Sequence, residues 1–241
     1  MRFGDTIHVG NISNLGAARS KSANSAITYE TVTETNTDIT IATHEYQAMA
    51  IEDVAAVQAN RDSLQDYAGK MGYSLALAVD DVLAGLVDNL SSSTAVGTLA
   101  VENTDDELLS ARQALLDADV PLNDVCWIFS PAAETGLLKM DRFVHADYGA
   151  VHGSPGSAVD EAYTGSYYRI PALVSSNVEG TNAAGHDNVL LHRQTLALVM
   201  QMKPKMRAQY DIDYLTDKVA VQQLYGTKEM REDHGVWVKG A

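Results

Sequence analysis

The chain has 241 residues, 46% of them hydrophobic, which is enough to bury a core in one large domain or two small ones. Asp and Glu number 32 against 17 Lys and Arg, a formal net charge of -15. This balance excludes tight bulk binding to a nucleic-acid backbone, which needs clustered cations to displace counterions. The densest basic stretch, Lys203 to Arg207, is short. Cys126 is the one cysteine, so an intrachain disulfide is excluded, and its apolar neighbours make it a small buried hydrophobe. The longest weakly charged apolar stretch, Met71 to Val79, is too short to span a bilayer. The first residues carry no signal-peptide pattern, so a place in the cytoplasm of the cell that makes the chain is expected.

Thr6 to Val9 predicts a short strand, and Asn11 to Asn24 an exposed loop rich in Gly, Ser, Asn and Ala. Ile27 to Thr33 is heavy in β-branched residues, Glu34 to Thr37 is polar, and Asp38 to Ala42 alternates. These runs suggest a hairpin of Ile27–Thr33 with Asp38–Ala42. Its threonine-rich faces supply little core, so it needs another surface to lie on.

From Glu45 the period becomes helical. Glu45 to Asn60 reads as one helical segment on Tyr46, Met49, Val54 and Val57. Ser63 to Asn89 is a clearer amphipathic helix, with Leu64, Met71, Leu75, Val79, Val82 and Leu86 on one face. At 1.5 Å per residue it is roughly 40 Å long. Thr104 and Glu107 form a capping box for a second helix, which Pro121 stops. Val125 to Phe129 is a buried strand, and Ser130-Pro131 caps a short helix through Lys139. Tyr167 to Val174, Val189 to His192, Thr195 to Met200, Val219 to Val221 and Val236 to Val238 supply further apolar segments. The alternation implies a mixed α+β fold.

Motifs for chemistry are weak. Gly10 and Gly16 have phosphate-loop spacing, but Ala17 and Ala18 stand where Lys and Ser or Thr are required. Gly153-Ser154-Pro155-Gly156 lacks nucleophile-elbow spacing. Asp141, His145, Asp147 and His152 crowd into twelve residues and are the candidate set for a metal-dependent enzyme, although their spacing matches no compact ligand motif.

The order of segments carries more. Gly4-Asp5-Thr6-Ile7 opens an extended region, and Glu45-Tyr46 to Ala55 leads into the long helix with Tyr67-Ala68, Leu75-Ala76 and Val79-Asp80. Phe129-Ser130-Pro131 follows a buried strand, and Leu224-Tyr225-Gly226 precedes Arg231 to Val236. This combination resembles the major capsid proteins of tailed bacteriophages with the Hong Kong-97-type fold. The resemblance implies an extended loop and β-arm over 1–44 and a peripheral domain with its spine helix over 45–103. It implies an axial domain over 104–187 and a return through the peripheral domain over 188–241. It implies a non-enzymatic virion protein that assembles with itself into pentamers and hexamers around double-stranded DNA, without cofactor or membrane. Scaffold, portal and decoration proteins are the further partners it implies. Ile27, Thr28, Tyr29, Glu30, Thr31, Ile39, Thr40 and Ile41 are the expected subunit contacts. Family members usually carry more sequence ahead of this loop. Some cross-link through a lysine in it; Lys21 is the only one here, and nothing around it carries that chemistry over. An encapsulin-like compartment, which shares the fold, is the alternative.

Overall fold

The computed structural model describes residues 4–12, 18–29, 31, 34–53, 63–90, 95–140 and 163–240. Twelve strands and three helices of that set are used below. β1 (Thr6–Ile12) pairs antiparallel with β2 (Glu34–Thr40), from Thr6 opposite Thr40 to Ile12 opposite Glu34. The predicted hairpin of Ile27–Thr33 with Asp38–Ala42 is therefore corrected. The expected turn at Glu34–Thr37 lies within β2, and Ile27 to Tyr29 lie in no strand. With threonine on both faces, local alternation does not fix register, and the pairing is decided elsewhere.

β3 (Thr43–Glu52) is a strand where the sequence spacing suggested helix. It pairs over its whole length with β11 (Thr216–Glu229), which also pairs with β10 (Leu196–Asp211). The partner strand lies more than 160 residues away, and its ladder outweighs the local helical spacing. Long helix α1 (Ser63–Ala84) ends in a turn and a 3-10 segment, Val87–Asn89. Met71 and Leu75 of α1 pack on Val219, Val221 and Met49, so one face of the β10-β11-β3 sheet is covered. Gln223 fixes this contact: its amide donates to the Leu75 carbonyl at 3.0 Å and to the Glu45 carboxylate at 2.9 Å.

The second body is a seven-stranded sheet. It contains β4 (Val96–Gly97), β5 (Val125–Phe129), β6 (Tyr163–Tyr167), β7 (Ile170–Val174), β8 (Gly180–Thr181), β9 (Gly185–His192) and β12 (Gly235–Gly240). The order is β4-β12-β9-β5-β7-β6, with β8 beside β9. α2 (Asp105–Asp117) starts at the Thr104/Glu107 capping box, and α3 (Pro131–Leu137) at Ser130, whose hydroxyl accepts from the Ala133 amide at 3.1 Å. Leu108, Ala111 and Leu115 of α2 and Leu137 of α3 bury one sheet face with Trp127, Phe129, Leu190 and Val236. The rings of Trp127 and Phe129 stack with centroids 5.4 Å apart. The opposite face is partly covered by Val87 and Leu90, which meet Val189.

Candidate assembly surfaces

The β1–β2 ribbon is fixed at its base, and beyond it most of its described residues are exposed. Ile39 and Ile41 are buried in their own chain, the Ile41 amide donates to the Asp5 carbonyl at 2.7 Å, and Gln201 donates to the Gly4 carbonyl at 3.0 Å. Gly226 of β11 passes so close to Thr40 and Ile41 that a Cβ there would meet their backbone. Of the expected contact residues, Ile39 and Ile41 are thus buried at the base of the arm within their own chain. Thr40 lies in β2 opposite Thr6. Ile27, Thr28, Tyr29 and Thr31 are exposed, Ile27 at 56% and Tyr29 at 84%. Glu30 lies outside the described residues. Every described residue from Ala18 to Tyr29 is exposed. Along the ribbon, His8 Nδ1 lies 2.5 Å from Asp38 Oδ1.

The uncovered face of the β10-β11-β3 sheet is the second surface. Register places Arg207, Ala220 and Ala48 in one row and Gln209, Lys218 and Ala50 in the next. These side chains bound an open hollow of about 680 Å³ with an alanine floor. Tyr46, 70% exposed, stands at one end of the alanines on β3. Sequence reasoning missed this floor because it placed Glu45 to Asn60 on a helix. The sequence offered no clean alternation there, because Ala48 to Ile51 is continuously apolar; the period-2 burial of Thr43 and Glu45, then Met49 and Ile51, is visible only in the structure.

Two further apolar features flank these. The loop joining β10 to β11 exposes Ile212, Tyr214 and Leu215. A cavity of about 420 Å³ lies between the end of α1 and the seven-stranded sheet, lined by Leu83, Val87, Ile128, Leu173, Val189 and Leu191.

Asp141, His145, Asp147 and His152 lie outside the described residues, as do Gly16 and the Gly153–Gly156 stretch. Among the described residues no group of three or more His, Cys, Asp or Glu side chains is placed to hold a metal ion. Burial pushes the Cys126 thiol above its ordinary pKa, which disfavours the reactive thiolate. No helix among the described residues is long and apolar enough to cross a membrane.

No curated protein matches the sequence. A family model described as phage capsid protein matches residues 33–237. Among solved structures, the chain is similar to one from Mycobacterium phage Che8, with 19% identity, 98% of this chain and 84% of that one covered, and a TM-score of 0.77. It is similar to a chain of the capsid of cyanophage P-SCSP1u, with 15% identity, 100% and 85% coverage and a TM-score of 0.76. A more distant likeness is to the SrpI encapsulin complex of Synechococcus elongatus, with 11% identity, 87% and 78% coverage and a TM-score of 0.64. The fold is that of the Hong Kong-97-type capsid proteins, and the chain belongs to the phage capsid protein family.

Proposed function

We propose that the chain is the tile of an icosahedral shell, assembling with itself into pentamers and hexamers that enclose double-stranded DNA. The observation that carries this reading is the arm. Residues of a phage capsid chain that are β-prone and apolar, notably Ile27 and Tyr29, are left uncovered by their own fold. Heterologous contacts of one arm on the next copy close into rings when the rotation closes. In this reading α1 and the β10-β11-β3 sheet form the peripheral part. The seven-stranded sheet with α2 and α3 forms the axial part around each ring centre. Scaffold, portal and decoration proteins are the expected further partners, and the virion the destination.

The net charge of -15 suits a container whose wall does not grip phosphates. Negative-stain microscopy of the purified chain tests the assembly. Closed shells are expected, and a variant with residues 18–31 replaced by a short Gly-Ser turn is expected to stay soluble without forming them. A parent chain that stays monomeric at all concentrations refutes the proposal. The likeness to an encapsulin supports a second reading, a compartment for protein cargo. Nuclease-protected DNA inside particles from producing cells favours the first, and co-purified protein cargo without DNA favours the second.

A further inference from the structure

β10 and β3 are the two outer strands of the three-stranded sheet, and they are built differently. β10 carries Lys203, Pro204, Lys205 and Arg207, and its register with β11 shifts between Met200 and Met202 and again between Met202 and Lys205. Charges, proline and bulges are the devices that keep a free edge from pairing. β3 has no proline and no bulge, and its charges are the acids Glu45, which is bound to Gln223, and Glu52 at its last position. Its register runs unbroken from Thr43 to Glu52, without proline, lysine or arginine. Its outer edge has no backbone partner among the described residues. An edge left this open accepts a strand.

The surface beside that edge is hollow. Ala48 and Ala50 point to the uncovered face with Ala220 next to them, and Arg207 and Lys218 stand beyond. Large side chains brought in from outside fill such a floor, and an aromatic ring meets a cation at its far rim. The arm supplies both features. Ile27-Thr28-Tyr29-Glu30-Thr31 has strong β-formers, and extension puts Ile27, Tyr29 and Thr31 on one side. In its own chain Ile27 and Tyr29 lie in no strand and are exposed. The seven residues of β2, roughly 23 Å when extended, separate this segment from the anchored base of the ribbon.

We infer that Ile27–Thr31 of one copy adds as a fourth strand to the outer edge of β3 in a second copy. Ile27 and Tyr29 then lie over the alanine floor, and the Tyr29 ring faces Arg207, while Lys218 stays paired with Asp211 beneath the rim. This inference rests on the shell reading and gives the arm its seat.

The test uses the full chain with the photo-crosslinker benzoylphenylalanine at position 29, assembled with isotope-labelled copies that lack it. The expected products join position 29 to residues 43–52 or 218–220 of a labelled copy. In parallel, Ala48→Trp and Ala50→Trp fill the hollow from the solvent side. Each is expected to keep the parent's melting temperature while shell yield falls at least tenfold. Shells whose crosslinks stay within one copy or reach any other surface overturn the strand addition and leave the shell reading standing. Parent-level shell yield from both tryptophan variants does the same. If the unsubstituted chain forms no shells, the shell reading fails and this inference falls with it.

Discussion

The Thr195 hydroxyl lies 2.8 Å from the carbonyl oxygen of His234, across 39 residues of chain. The same hydroxyl is 2.8 Å from the His192 carbonyl, so one donor is shared between two acceptors. These residues sit where the chain crosses between the two sheets. Arg193 to Thr195 leads from β9 to β10, and Met230 to His234 leads from β11 to β12. The Met230 amide donates to the Thr195 carbonyl at 2.8 Å, and the rings of His192 and His234 meet edge to face at 5.4 Å. Thr195 is fully buried and clasps the two crossings together.

Replacing Thr195 by Val keeps the shape and removes the donor. The His234 carbonyl then loses its side-chain partner in a buried place, a cost of about 1–3 kcal/mol. Urea unfolding of the subunit is expected to show that loss, with Thr195→Ser recovering most of it. Equal midpoints for Thr195→Val and the parent contradict the clasp.

The core of the seven-stranded sheet is more sensitive. Trp127 is fully buried, stacks on Phe129, and donates its indole N–H to the Tyr167 carbonyl at 3.2 Å. Trp127→Ala removes the ring and leaves a cavity, and its expected cost is about 3–5 kcal/mol. Phe129→Leu, closer in volume, is expected to cost less. The order of the two midpoints in one denaturant series checks this.

Much of this core was legible in the sequence because its signals are local. Thr104 and Glu107 announce α2, Ser130-Pro131 announces α3, and Met71, Leu75 and Val79 mark the buried side of α1. β3 was not legible as a strand: Tyr46 and Met49 fit a helical spacing, and the ladder that overrides it comes from Thr216 to Tyr225. The arm shows the same limit. Ile27 to Thr33 has the composition of a strand, yet β1 takes β2 as its partner through contacts spanning 22 to 34 residues. A stretch whose partner lies far along the chain, or on another copy, leaves no periodic trace of that partner. The alanine floor could have been found only after β3 was read with period 2.

The base of the arm depends on Gly226. Its backbone lies against the Thr40 carbonyl and the Ile41 Cα, and a methyl group has no room between them. Gly226→Ala is therefore expected to push β2 off β11 while leaving the seven-stranded sheet intact. Hydrogen exchange checks this directly: amides of Thr37 to Ile41 lose protection while those of Val125 to Phe129 keep theirs. Unchanged protection at Ile41 counts against the glycine's role.

Asp187 gives a pH dependence with a definite sign. Burial raises its carboxyl above the ordinary carboxylate pKa, and the charge of Asp88 adds to this. The Trp237 indole bond, Lys239 and His186 act the other way. The native state therefore holds a proton more tightly than the unfolded chain. This group's contribution to stability is largest at acid pH and declines as pH rises from the ordinary carboxylate range through the raised value. In Asp187→Asn the amide oxygen still accepts from Trp237 Nε1, which lies 3.0 Å from Asp187 Oδ1 in the parent. The variant is expected to match the parent near pH 3 and to melt higher than it at pH 7. Melting temperatures measured across that range give the difference, which should grow with pH. A difference that shrinks with pH shows that the native fold holds the Asp187 carboxylate charged.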